Sequence, residues 1–233
     1  EINLLADNLP YKATVDWQNL RWPLTGKVEY TSPQGKLISS GDLSNYKLSL
    51  QGDYDLENIP KGELNLSATG NLSELQISHF LVETLQGQVD LTGHFNWQNE
   101  FRWAANLQID KINLAGISNE YSGLISGKIS QTGKVDIADG SDVWQFAIPI
   151  IDVQGTLLER PFSIRGSITG DNQHGILFDR ITVNNGHNIV NLDGRYAKQN
   201  ELLISMDIVD IGQLLVGNTG SVKGNIKLTG PES

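Results

Sequence analysis

Leu85-Gln86-Gly87-Gln88-Val89-Asp90-Leu91-Thr92-Gly93-His94-Phe95-Asn96-Trp97 alternates apolar and polar residues without a break. In an extended chain the set Leu85, Gly87, Val89, Leu91, Gly93, Phe95 and Trp97 falls on one side, with polar residues on the other. As a single strand the run would be thirteen residues long, where an ordinary globular strand has about five or six. Seven of the twelve threonines are followed by glycine, at Gly26, Gly70, Gly93, Gly133, Gly170, Gly220 and Gly230. Glycine weakens a strand. Spaced in phase with the apolar face, as at Gly87, Gly93, Gly166 and Gly194, it lets a sheet curl toward that face or leaves room for a guest.

The pattern recurs outward from this run. Phe101, Trp103, Ala105, Leu107 and Ile109 form a second apolar face, and Phe162, Ile164, Gly166, Ile168 and Gly170 a third. Val190, Leu192, Gly194 and Tyr196 follow, then Leu202, Ile204, Met206 and Ile208, then Val222, Gly224, Ile226 and Leu228. Gln199–Leu214 could also be written as an amphipathic helix, but its partner in the repeat described below alternates with period two, which favours strand. Trp144, Phe146, Ile148 and Ile150 change parity to Ile151, Val153, Gly155 and Leu157 just after Pro149. That slip predicts a bulge, where a proline in a strand is tolerated. Asn185-Gly186 and Asp139-Gly140 are turn signals. The fold class expected is all-β.

The two halves repeat. Gly93 to Glu100 followed by Asp110 to Leu114 matches Gly194 to Glu201 followed by Asp210 to Leu214. Gly123, Gly127 and Gly133 match Gly220, Gly224 and Gly230, and Gly70 matches Gly170, so the period is about a hundred residues. Trp17-Gln18-Asn19-Leu20-Arg21-Trp22 echoes Trp97 to Trp103 and suggests a third, partial copy. This predicts a partial repeat over 1–62 and repeat units over 63–160 and 161–233, the last truncated, in one continuous elongated structure. Segments 110–121 and 210–218 join the units and are expected to hold a helical turn. The pattern is in mid-course at both ends, as in a segment of a longer protein.

Composition narrows the chemistry. Twenty-seven acids against seventeen bases give a net charge of −10, which argues against nucleic acid as a partner and against electrostatic adhesion to anionic lipid. No stretch reaches the roughly 18 consecutive apolar residues of a spanning helix. Cysteine is absent, and His79, His94, His174 and His187 lack metal-ligand spacing. There is no nucleophile elbow. Gly123 to Ile129 imitates a phosphate loop, but it is one residue short and lies in a strand pattern. Asp136, Asp139 and Asp142 do not fit an EF-hand spacing and read as a solvated loop. No enzyme, cofactor or metal is expected.

An apolar face repeated in this way can be the core of a closed sandwich, the lipid face of a membrane barrel, or the lining of an open trough. The barrel lacks aromatic girdles and alternating loop lengths in this sequence. The residues alone leave trough and sandwich level.

The runs Trp17 to Gly26, Leu85 to Gln98 and Gly220 to Gly230 resemble the TamB family, within the AsmA-like group of periplasmic proteins of Gram-negative bacteria. The resemblance covers essentially the whole chain, as an internal segment, and rests on the succession of strand repeats. It implies an elongated, curved, taco-like β-trough with an apolar interior. It also implies a periplasmic protein anchored in the inner membrane by an N-terminal helix absent from this sequence. The implied function is conduction of phospholipid between inner and outer membranes. The alternative is assembly of outer-membrane β-barrels and autotransporters through exposed sheet edges. The implied partners are phospholipid acyl chains, neighbouring repeats of the same full-length chain, and TamA through the full-length protein. The expected groove lining is Leu85, Val89, Leu91, Phe95, Trp97, Phe101, Trp103, Leu107, Ile109, Phe162, Ile164, Ile168, Val190, Leu192, Tyr196, Leu202, Ile204, Met206 and Ile208.

Overall fold

The structure, a computed structural model, describes residues 9–23, 30–56, 59–118, 120–136 and 143–231. Its first seven strands are β1 (Tyr11–Trp22), β2 (Tyr30–Asp42), β3 (Asn45–Leu56), β4 (Ile59–Gly70), β5 (Glu74–Thr84), β6 (Gly87–Asn96) and β7 (Phe101–Asn113). The other seven are β8 (Leu124–Val135), β9 (Trp144–Leu157), β10 (Arg160–Asp171), β11 (Gly175–Asn185), β12 (Asn188–Tyr196), β13 (Gln199–Ile208) and β14 (Val222–Pro231). Short 3-10 turns at Leu114–Gly116 and Ile211–Gln213 follow β7 and β13. Each strand pairs antiparallel with the next, giving one fourteen-stranded sheet in sequence order, curved and unclosed. Among the described residues no second sheet stacks on it and β1 does not pair with β14, so these strands form neither a sandwich nor a closed barrel.

Register explains why the apolar residues stay together. Val15 pairs with Leu37, and successive partners are Leu50, Leu66, Phe80, Leu91, Leu107, Ile129 and Ile151. The row continues through Gly166, Ile181, Leu192, Ile204 and Ile226. Fourteen strands cross this line without one polar side chain. Bulges keep the parity. In β9 the partners jump from Ile151 to Ile148, so Pro149 and Ile150 absorb the slip, and Pro149 sits where no ladder donor is required. In β5 the jump is from Ile77 to Phe80, and in β11 from Phe178 to Ile181 with Arg180 left-handed at φ 50. The sheet curls toward this apolar face. Among the described residues the buried hydrophobic ones, Ala68, Ala105, Ile112, Val153 and Leu202, lie on it.

The opening run needs correction. It is not one thirteen-residue strand: β6 spans Gly87–Asn96. Leu85 and Gln86 form the turn from β5, with φ of 53 and 61. This two-residue primed turn has no glycine to announce it, and its alternation simply runs on into the strand. Trp97 has already left β6, its backbone N–H donating to Ser73 and its indole N–H to the Leu72 carbonyl at 2.7 Å.

The hundred-residue repeat corresponds to six strands. Gly35 and Gly41 on β2, Gly127 and Gly133 on β8, and Gly224 and Gly230 on β14 occupy the same two cross-strand rows. The tryptophan echo does not share that correspondence. Trp17 lies on β1 opposite Gly35, whereas Trp97 lies in a turn. The step from residue 62 to 63 falls inside β4 and that from 160 to 161 at the start of β10, and the sheet continues through both. Asp139-Gly140, together with Asp142 and Gly26, lies outside the described residues. Gln199 onward is strand through Ile208, and the two joining segments carry the 3-10 turns.

The threonine–glycine signature acquires a cause at one end of the strands. There, glycines on even strands take the aromatic ring of the preceding odd strand: Gly70 takes Tyr46, Gly133 takes Trp103 and Gly170 takes Phe146, and Gly35, which follows Gln34 and lies in the other glycine row, takes Trp17 in the same way. A Cβ at Gly170 would lie 2.6 Å from the Phe146 ring. Three such strands then end in the same turn. Asp42, Asn71 and Asp171 directly follow glycines, and each accepts two backbone N–H bonds through Oδ1. Asx side chains favour such turns for this reason. Gly133→Ala should therefore destabilise by about 1–3 kcal/mol through overpacking against Trp103. The same substitution in a Trp103→Leu background should cost distinctly less, a coupling that a double-mutant cycle by thermal unfolding would read.

Candidate functional site: the concave apolar face

The concave face is bounded by two lips, formed by the strand ends and the described turns between them. At one lip lie the C-terminal ends of the even strands and the N-terminal ends of the odd ones, and at the other the reverse. Between them the apolar rows cross the trough. Val89, Leu91, Phe95, Trp103, Leu107 and Ile109 share this face on β6 and β7, with Phe101 beside them opposite Val135. Phe162, Ile164 and Ile168 share it on β10, and Val190, Leu192, Tyr196, Leu202, Ile204, Met206 and Ile208 on β12 and β13. Leu85 and Trp97 stand apart from these rows, one at each lip. Leu85 is covered by the loop after β7, where a Cβ on Gly116 would meet its side chain.

Several lining residues were not legible as one face. Leu64, Leu66, Phe80 and Val82 belong to it, as do Phe178, Ile181 and Val183. Bulges interrupt the period-two signal in β5 and β11, so the parity of Phe80, Val82, Phe178, Ile181 and Val183 comes from register, while Leu64 and Leu66 alternate without a break on β4 and join Phe80 and Val82 through pairing.

Most lining side chains are half-buried. In the central row Val15 is 51% and Ile226 47% exposed at the two ends of the sheet, while Leu91 and Leu107 in its middle are shielded by curvature. The surface is thus apolar, concave and open along its length. Aromatic rings gather at one lip. Phe95 and Phe101 have centroids 6.5 Å apart, Phe101 and Trp103 5.7 Å, and Trp144 and Phe146 5.7 Å. Separations of this size suit offset or tilted aromatic pairs.

At the other lip a loop folds inward. Asn185 and Asn188 project from the concave face and are 0% and 1% exposed. Asn188 donates to the Asp210 carbonyl at 2.9 Å and accepts from the N–H groups of Val209 and Asp210. Asn185 donates to the Gln213 carbonyl. These amides pin the segment after β13 over the turn between β11 and β12. The segment after β7 does the same one repeat earlier, with Asn113 donating to Gln86.

The convex face is polar and laddered. Lys36–Asp16, Arg165–Asp152 and Lys223–Asp207 are directly paired across strands. Thr182, Asn191 and Ser205 form a hydrogen-bonded line. Hydrogen bonding by Arg102 lowers the pKa of Glu100, the His174 backbone N–H lowers that of Asp171, and Arg180 lowers that of Asp179. Carboxyls with depressed values stabilise the fold above the ordinary pKa of about 4 and lose that contribution only as pH falls through the lowered values. Among the described residues no group of His, Asp or Glu is arranged to hold a metal ion, and no helix is long and apolar enough to cross a membrane.

The family description "TamB, N-terminal domain" matches residues 1–233, the whole sequence. The chain belongs to the TamB family. It is similar to the translocation and assembly module subunit TamB of Haemophilus influenzae (strain ATCC 51907 / DSM 11121 / KW20 / Rd), with 27% identity over 192 residues. That alignment covers 82% of this chain and 14% of the relative, so the chain spans a small part of such a TamB protein. No solved structure matches it.

Proposed function

We propose that this segment is one stretch of a hydrophobic conduit that carries phospholipids across the periplasm between the inner and outer membranes. The observation carrying the reading is the central row from Val15 to Ile226, apolar on every strand it crosses. Burying a sixteen-carbon chain there would be worth roughly 13 kcal/mol at about 0.8 kcal/mol per methylene. A central row without polar interruptions lets the chain slide without passing through a strongly unfavourable position, while the open seam keeps the head group wet. In this reading the full-length protein is anchored in the inner membrane, its neighbouring repeats extend the sheet past β1 and β14, and TamA is engaged through the full-length protein. No catalysis is required.

Contact should follow face. Photo-crosslinkers at Leu91, Phe95, Leu107 and Ile109 should capture phospholipid, and those at Asp90, His94 and Gln108 should not, read by mass spectrometry of the adducts. Equal capture on both faces, or none, would sink the conduit. A second reading, strand chaperoning in outer-membrane protein assembly, is favoured by the sheet being unclosed among the described residues, which would let an edge strand pair with a client strand. It predicts protein adducts at such an edge with no contrast between faces.

A further inference from the structure

The two lips of the trough differ in chemistry, and register makes the difference visible. One lip carries the aromatic row, in which Phe95 pairs with Trp103 and Phe146 neighbours Gly170. The next row on the convex side runs from Lys12 through Lys47, His94 and Arg195 to Glu201. Three of its side chains are cationic and one is acidic, and the turns of the same lip add Asp42, Glu74 and Asp171, so charges of both signs are mixed there. Arg195 is held at this lip by donating to the His174 carbonyl at 2.9 Å.

Near the opposite lip the convex row is acidic. Asp53 pairs with Glu63, Glu63 with Glu83, and Gln88 lies between Glu83 and Asp110. Like charges directly across a sheet destabilise it, and no base on these five strands interrupts the row. The acidic lip is also where the loops after β7 and β13 fold inward, fixed by Asn113, Asn185 and Asn188.

We infer that a phospholipid in this trough lies with its phosphate against the aromatic lip, where charges of both signs are mixed, and away from the acidic, looped one. The inference rests on the conduit reading. Two independent features support it. Amphipathic aromatic side chains favour the boundary between hydrocarbon and head group. An anionic phosphate at the other lip would meet the unbroken Asp53–Glu63–Glu83 row, a repulsion that reaches about one Debye length of 8 Å, whereas at the aromatic lip Lys12, Lys47 and Arg195 each offset nearby acids. Each lipid would then travel in one orientation, head groups following a single lip.

The test uses the full chain and phosphatidylethanolamine carrying a diazirine, either on its acylated amine, which leaves the phosphate as the net charge, or at an acyl terminus. The acyl probe should label the row around Leu91 and Leu107. The head probe should label the turns at Asp42–Asn45, Asn71–Glu74 and Asp171–Gly175 at least about fivefold more than those at Leu85–Gln86 and Leu158–Glu159, equivalent to about 1 kcal/mol of preference. Combining Lys12→Glu, Lys47→Glu and Arg195→Glu should erode that ratio, with acyl labelling retained. Equal or reversed head labelling with normal acyl labelling overturns the orientation and leaves the conduit standing. A ratio unmoved by the charge reversal also overturns the electrostatic argument. Absence of labelling by either probe overturns the conduit itself.

Discussion

Leu91→Arg or Leu107→Asp, placed in the full-length protein, should stop lipid passage while the 233-residue chain still folds. Leu91 and Leu107 are direct partners in the central row. In a one-dimensional conduit every acyl chain must pass that row, so one ion with its water becomes a barrier to all traffic. A charge buried in a closed core would cost several kcal/mol and unfold the protein. Here the residues are only half-buried, and an arginine can turn its guanidinium toward the open seam while its stem stays on the apolar surface. The chain's melting temperature should fall by only a few degrees, roughly 1–2 kcal/mol for a domain of this size. Lipid crosslinking beyond the lesion should disappear. Thr92→Arg, on the convex face beside Leu91, should change neither measurement. Continued traffic through a folded Leu91→Arg protein would mean that lipid does not travel along this row.

The same residues show how far the sequence could be read. Strands without an internal bulge, such as β6, β12 and β13, were legible because period-two alternation is a local property. The bulge of β9 was legible because Pro149 marks it. In β5 and β11 the equivalent slips at Ser78–His79 and Asp179–Arg180 carry no such mark, so the alternation there looks merely broken. The Leu85–Gln86 turn was hidden for the opposite reason, since alternation continues through it. The lip chemistry was beyond sequence reading altogether. Lys12 and Arg195 lie 183 residues apart, and only the pairing of successive strands sets them in one row. The resemblance to TamB supplied the choice between trough and sandwich, because an apolar face has the same pattern whether or not another sheet covers it.

Asn185-Gly186 reads as a turn, and a turn it is, but its chemistry lies in the amides that flank it. Asn188→Leu should be among the most damaging substitutions away from the apolar rows. The asparagine bonds to Asp210 O at 2.9 Å, Val209 N at 2.8 Å, Asp210 N at 3.1 Å and the Gln213 side chain at 3.4 Å, all at 1% exposure. Leucine is of similar size but leaves two backbone donors and a carbonyl without partners in a buried place, at about 1–3 kcal/mol for each group that water cannot reach. Because the loop can lift and let water in, the net loss should be about 3 kcal/mol, or roughly 6–12 °C in melting temperature. Lifting should appear as fast amide exchange at Val209 and Asp210, with β13 itself still protected. Asn184→Ala is the control. It lies on the convex face with a single bond to Ser163 at 3.1 Å and should cost less than about 1 kcal/mol. If Asn188→Leu melts like Asn184→Ala and exchange at Val209 stays slow, the loop is held by its 3-10 turn and not by the asparagine. If exchange accelerates with little loss of stability, the loop is a cover that opens independently of the sheet beneath it.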